Sequence, residues 1–97
     1  MRIEWAKESG TDLRQIHASI SADNITAAAK VIQVIREAIQ ALAENPLMGR
    51  AGGVGGTREL VLTRYPHLVI YRVKKDAVRV LAVIHASRHW QTDFFRE

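Results

Sequence analysis

The side chains best equipped for chemistry lie in the second half of the chain: Arg58, Glu59, Arg64, His67, Arg72, His85, Arg88 and His89. Cleaving RNA without a metal needs a base for the 2′-hydroxyl proton, an acid for the leaving oxygen, and cations for the developing phosphorane charge. One acid/base pair is available, Glu59 with His85, and Arg72 and Arg88 could supply the charge. An unperturbed histidine titrates close to neutrality, so His85 suits a proton shuttle if it faces a cleft. The competing and favoured reading is plainer: His85 ends a strand and its ring nitrogens are satisfied by neighbours. On that reading Arg58, Arg72, Arg79 and Arg88, with Trp90 beside them, form a recognition surface. Arginine binds carboxylate or phosphate with two parallel hydrogen bonds, which suits it to that work. Arg58 has a structural alternative, an ion pair with Glu59 or another of the chain's own acids.

Other chemistries find less support. There is no cysteine, so neither a disulfide framework nor a thiolate metal site is available. The four histidines lack metal-ligand spacing, and no HExxH glutamate accompanies His85 and His89. No metal or other cofactor is expected. The stretch Gly49-Arg50-Ala51-Gly52-Gly53-Val54-Gly55-Gly56 lacks the spacing and the Lys-Ser/Thr end of a phosphate-binding loop, and it reads as a mobile connector. His17 belongs to an apolar stripe, at a packing or groove-edge position, and Trp5 reads as core. Trp90, Phe94 and Phe95 could stack on bases, close the core, or meet a partner's amphipathic helix.

The elements that must position these groups follow from periodicity. Met1 to Trp5 reads as a short strand with Ile3 and Trp5 on one face. Leu13, Ile16, His17 and Ile20 form a helical stripe, with Ser9 and Asp12 resembling a helix start. Asp23 or Asn24 would cap a second helix from about Ile25 to Glu44, whose stripe is Ala28, Ile32, Ile35, Ile39 and Leu42 and which Asn45-Pro46 stops. Strands are expected at Thr57–Leu62, Leu68–Lys74 and Ala77–His85, with Lys75-Asp76 as a tight turn. The last two are apolar on both faces, as central strands are. The expected fold is α+β, β-α-α-β-β-β, with a helical hairpin on one face of a small antiparallel sheet.

Ninety-seven residues, 47% of them apolar, make a single domain (1–97) able to bury a core. No apolar run approaches the length that spans a bilayer, and no signal-peptide pattern opens the chain, so a cytoplasmic protein without membrane contact is expected. Up to Met48 five Lys/Arg face six Asp/Glu; from Gly49 on, nine face four, a net of +5. That asymmetry suits an anionic partner: nucleic acid, an acidic protein surface, or both.

Four strings in order, "DLRQI", "NPLMGRAGGVGGTRELVL", "YPHLVIYRV" and "VRVLAVIHASRHW", give the chain a resemblance to the RelE/ParE superfamily of type II toxin–antitoxin toxins, over nearly its whole length. The resemblance implies a toxin neutralised by a cognate, ParD-like antitoxin in a hetero-oligomer. It also implies one of two modes: RelE-like members cleave mRNA on the ribosome, whereas ParE-like members bind DNA gyrase. Leu68 stands where the nucleases carry a catalytic arginine, and their lysine pair on the preceding strand is missing; Arg58 and Arg64 are the cations near it. These departures favour the ParE-like binder over the ribonuclease. A toxin retained only for interaction is a third possibility.

Overall fold

A computed structural model describes residues 1–87, and the elements run β1 (Arg2–Trp5), α1 (Lys7–Ser21), α2 (Ile25–Ala41), β2 (Arg50–Ala51), β3 (Arg58–Val61), β4 (His67–Val73) and β5 (Ala77–His85). The expected α+β class and the helical hairpin on a sheet are both present. The sheet has five strands in the order β1-β5-β4-β3-β2. It is mixed where an antiparallel one was expected, because β1 joins β5 in parallel while the other neighbours are antiparallel. The cause is the path of the chain. It leaves β1 straight into the helices and returns through β3 and β4, so β5 reaches β1 running the same way.

The second helix follows its sequence signals closely. Asn24 caps it, its side chain accepting from the Ala27 N–H at 2.9 Å. Ala28, Val31, Ile35 and Ile39 are buried along one stripe, and Leu42, just past the last turn, is fully buried as well. The helix ends at Ala41, three residues short of Glu44, and hydrogen-bonded turns carry the chain on to Asn45. The first helix starts at Lys7, two residues before Ser9. Ser9 is interior to it and donates back to the Ala6 carbonyl, and Asp12 accepts the Val83 N–H of β5 at 3.0 Å. Asp12 serves tertiary structure and Ser9 bonds within the helix's own first turn, so neither takes the capping role their spacing suggested.

β4 and β5 are buried on both faces. Toward the helices, Val69, Val80 and Val83 pack with Leu13, Val31, Ile35 and Ile39. On the other face Leu68, Ile70, Ala82 and Ile84 form a separate cluster with Val54 and Leu81. A bulge makes this possible. Ile70 pairs with Ala82 and Tyr71 with Val80, leaving Leu81 as the extra residue of β5. The inserted residue shifts the alternation by one, so Val80 and Val83 can share a face although they are three apart.

The glycine-rich connector proves to be pinned. Arg50 and Ala51 pair with Glu59 and Arg58, the Gly52 N–H donates to the Thr57 carbonyl at 2.8 Å, and the Thr57 hydroxyl donates to the Val54 carbonyl. Gly56 has φ +81°, a conformation that favours glycine. At its entrance the Tyr71 side chain, fully buried, accepts from the Gly49 N–H and donates to the Pro46 carbonyl, both at 2.8 Å.

Candidate functional site

On the sheet face away from the helices, side chains of one parity converge. Glu4 on β1 lies beside Arg79 on β5, which in turn lies beside Arg72 on β4. The Glu4 carboxylate takes ion pairs from Arg2, from Lys74 at 3.1 Å and from Arg79 at 3.5 Å, and Arg2 reaches Asp76 at 3.0 Å. The hydrogen bond from Arg2, reinforced by that from Lys74, holds the Glu4 carboxyl down to about 2. Arg72 is exposed and has no ion pair or hydrogen bond among the described residues. Three cations thus pair with two carboxylates on an open face, and a fourth, Arg72, is left available for an outside anion.

The remaining candidates are distributed differently. Arg58 points to the helix side, where it donates to the Gly49 carbonyl at 2.7 Å and the Leu47 carbonyl at 3.4 Å. It clamps the connector and does not pair with Glu59. Glu59 is 7% exposed on the outer face, held by Arg50 at 3.0 Å and by the Gly53 N–H at 3.4 Å. His85 pairs in register with His67 at the far end of β4 and β5. Their rings meet edge to face, 5.6 Å apart, beside a helix-side cleft that Asp12, Gln15 and Tyr65 also line. The His85 Nδ1 bonds the Ser87 hydroxyl at 2.8 Å. Burial, with His85 nearby, pushes the His67 imidazole below its ordinary value, and its Nδ1 is buried without a partner among the described residues. Glu59 and His85 therefore stand on opposite faces of the sheet and do not form a pair. Leu68 is 5% exposed inside the outer apolar cluster. Arg88 and Trp90 lie outside the described residues, as do His89, Phe94 and Phe95. Among the described residues no group of three or more His, Asp or Glu could hold a metal, and no helix is long and apolar enough to cross a membrane.

One position corrected its sequence reading, and another kept it. Trp5 is 37% exposed, not core, and lies under the Arg36 guanidinium, 5.7 Å from its centroid. His17 edges the same groove as Trp5, an open channel of about 650 Å³. The Arg2–Glu4–Lys74 cluster went unnoticed because its members are some seventy residues apart. The available signal was the parity of β1: with Ile3 and Trp5 on one face, Arg2 and Glu4 must share the other.

This combination of helical hairpin, mixed sheet and cationic outer face defines a small α+β domain with two helices on one side of its sheet and a charged cluster on the other. The family model described as the ParE toxin of the type II toxin–antitoxin system parDE matches residues 3–90. The chain belongs to that family. It is 43% identical over 89 residues, 92% of each chain, to the protein Y4kP of Sinorhizobium fredii (strain NBRC 101917 / NGR234), which is described as a candidate toxin. A solved structure of a chromosomal ParDE toxin–antitoxin system from P. aeruginosa superposes with a TM-score of 0.79 at 28% identity, covering 88% of this chain and 95% of that one.

Proposed function

We propose that this ParE-type toxin acts in the cytoplasm by binding, with DNA gyrase as its target, and that a ParD-like antitoxin neutralises it. The separation of Glu59 from His85 carries the reading. A general acid and base must both reach the scissile phosphate, and two groups on opposite faces of one sheet cannot. Glu59 is also committed to Arg50 and the connector, and a buried leucine occupies the position of the nucleases' arginine. What faces outward is a recognition surface, in which Arg72 and Arg79 are the candidate contacts within the described residues. Arg88 and Trp90 are proposed to extend it.

Induction of the toxin with two simultaneous measurements tests this. DNA damage signalling with arrested replication, and intact ribosome-bound mRNA, is the expected result. Codon-specific mRNA cuts by the wild type, abolished by His85→Gln in a folded protein, would establish the ribonuclease instead.

A further inference from the structure

The outer face holds a second feature, apart from the Glu4 cluster, where the glycine-rich connector meets Arg72. Val54 packs against Leu68, Ile70, Ala82 and Ile84, which lays the connector down on that face. The Thr57 N–H donates back to the Val54 carbonyl at 3.1 Å and closes a turn with Gly55 and Gly56 at its centre. The φ of +81° at Gly56 is what a type II turn requires of the third of its four residues. The tip of the turn rests beside Arg72: a Cβ on Gly56 would lie 3.8 Å from the Arg72 Cζ and 3.9 Å from its Nη1, whereas one on Gly55 would meet open space. The N–H groups of Gly55 and Gly56 have no acceptor among the described residues, and the exposed Arg72 has no anion there either. Arg79, opposite Arg72 in register, is held by Glu4 at 3.5 Å, and Glu59 by Arg50 and the Gly53 N–H. A guanidinium fork and two peptide N–H groups thus share one open spot.

We propose that Arg72 and the Gly55–Gly56 turn form a seat for a terminal phosphate group. The donor set selects the anion. A carboxylate has two oxygens, and a guanidinium fork satisfies both. A phosphate monoester has three, so one is left for the peptide N–H groups of the turn, donors of the kind that cradle anions in backbone concavities. Glycine at both positions lets the anion reach the main chain, since no side chain stands in front of it. The seat is not a nucleotide-binding loop of the strand–loop–helix kind: its charge comes from β4, and a strand follows it. A phosphate monoester ends a mononucleotide and also the 5′ end of a nucleic-acid strand, and both present the same group. The inference deepens the binder reading, in which Arg72 is a candidate contact, by naming the chemistry that Arg72 recognises.

The test titrates the full chain, isotope-labelled and at constant ionic strength, with inorganic phosphate, a nucleoside monophosphate, and a short oligothymidylate with and without a 5′-phosphate. Expected are shifts centred on the Gly55 and Gly56 amides and the Arg72 Nε–H, and binding at least tenfold weaker in Arg72→Ala. Gly55→Pro removes one donor while keeping the turn, because proline is favoured at the second position of a type II turn, and should bind severalfold more weakly. Spectra unchanged away from the connector show that both variants remain folded. A monophosphate that binds more tightly than the phosphorylated strand assigns the seat to a nucleotide, and the reverse order assigns it to a strand end; either upholds the seat. Equal binding of the two oligothymidylates, acetate binding as well as phosphate, wild-type affinity in either variant, shifts centred on Glu4 and Lys74, or no binding of any phosphate probe at millimolar concentration would each overturn it. Growth arrest on induction is a separate measurement: a toxin that binds phosphate but spares DNA replication strikes the gyrase reading, whereas a failed titration strikes the seat.

Discussion

Tyr71 shows how a single polar atom organises the chain's least regular stretch. Its hydroxyl bridges the Pro46 carbonyl and the Gly49 N–H within the core. Tyr71→Phe would leave a buried donor unmade, and should cost about 1–3 kcal/mol in urea unfolding. Gly49→Ala should also destabilise, because a Cβ there would lie 2.6 Å from the Tyr71 hydroxyl and 2.8 Å from the Glu59 carbonyl oxygen. His67 makes stability depend on pH. Its folded-state proton affinity is depressed, first by burial and then by His85, so the unfolded chain takes up the proton first as pH falls. Its contribution is complete above the ordinary value of 6.5 and is lost as pH drops from there toward the lowered folded value. Urea midpoints between pH 8 and pH 5 should fall for the wild type and flatten in His67→Phe; an equal slope in both would assign the pH dependence to other groups. Sequence reasoning recognised both histidines as candidates. It could not foresee that they would stack on each other on the helix side, because that contact depends on the β4–β5 register.

At the scale of elements, α2 was legible in its Asn24 cap and in most of its stripe, local signals that agree with one another and with the final packing. Its end was not, since the helix stops at Ala41, three residues before Glu44. Ile35 is fully buried at the centre of the stripe, and Ile35→Ala should lower stability by about 2–5 kcal/mol. A loss under about 0.5 kcal/mol in a urea melt would contradict that placement. The central strands were equally plain, since apolar residues on both faces mark them as interior. The partner of β1 was not legible. Nothing local in four residues distinguishes an edge that pairs in parallel with a strand some seventy residues on from one that pairs in a hairpin. The connector was misjudged for a related reason. Glycine count suggests freedom, yet Arg50, Gly53 and Thr57 anchor that segment through contacts to β3 and within the loop itself.

For the whole molecule, the described structure separates cations committed to the chain's own carbonyls from cations on the open face. Arg58 is spent on the connector, so Arg58→Ala should lower the urea midpoint whatever it does to toxicity. Arg72 and Arg79 are peripheral to packing. Arg72→Ala/Arg79→Ala should keep its melting behaviour while losing growth inhibition on induction, with circular dichroism as the folding control; full toxicity in a folded double variant would move the target surface elsewhere. Association with an acidic antitoxin should slow as ionic strength rises from about 50 to 500 mM, as screening shortens the reach of the cationic face. The class of fold could be read from the order of helices and strands, and the excess of cations in the second half from composition alone. The site's composition could not, because it draws Arg2 and Glu4 from the acidic half into the basic one.

The parallel pairing of β1 with β5 also sets a schedule. During synthesis β1 and the helical hairpin leave the ribosome first, yet Glu4 meets no Lys74 or Arg79 until the last strand has followed. Closing so long a loop is entropically costly and slow compared with helix formation. The Glu4 cluster therefore forms only after β5 has been made. A nascent chain halted before Ala77 would hold the helical hairpin, β3 and β4 but neither Arg79 nor the strand that β1 pairs with.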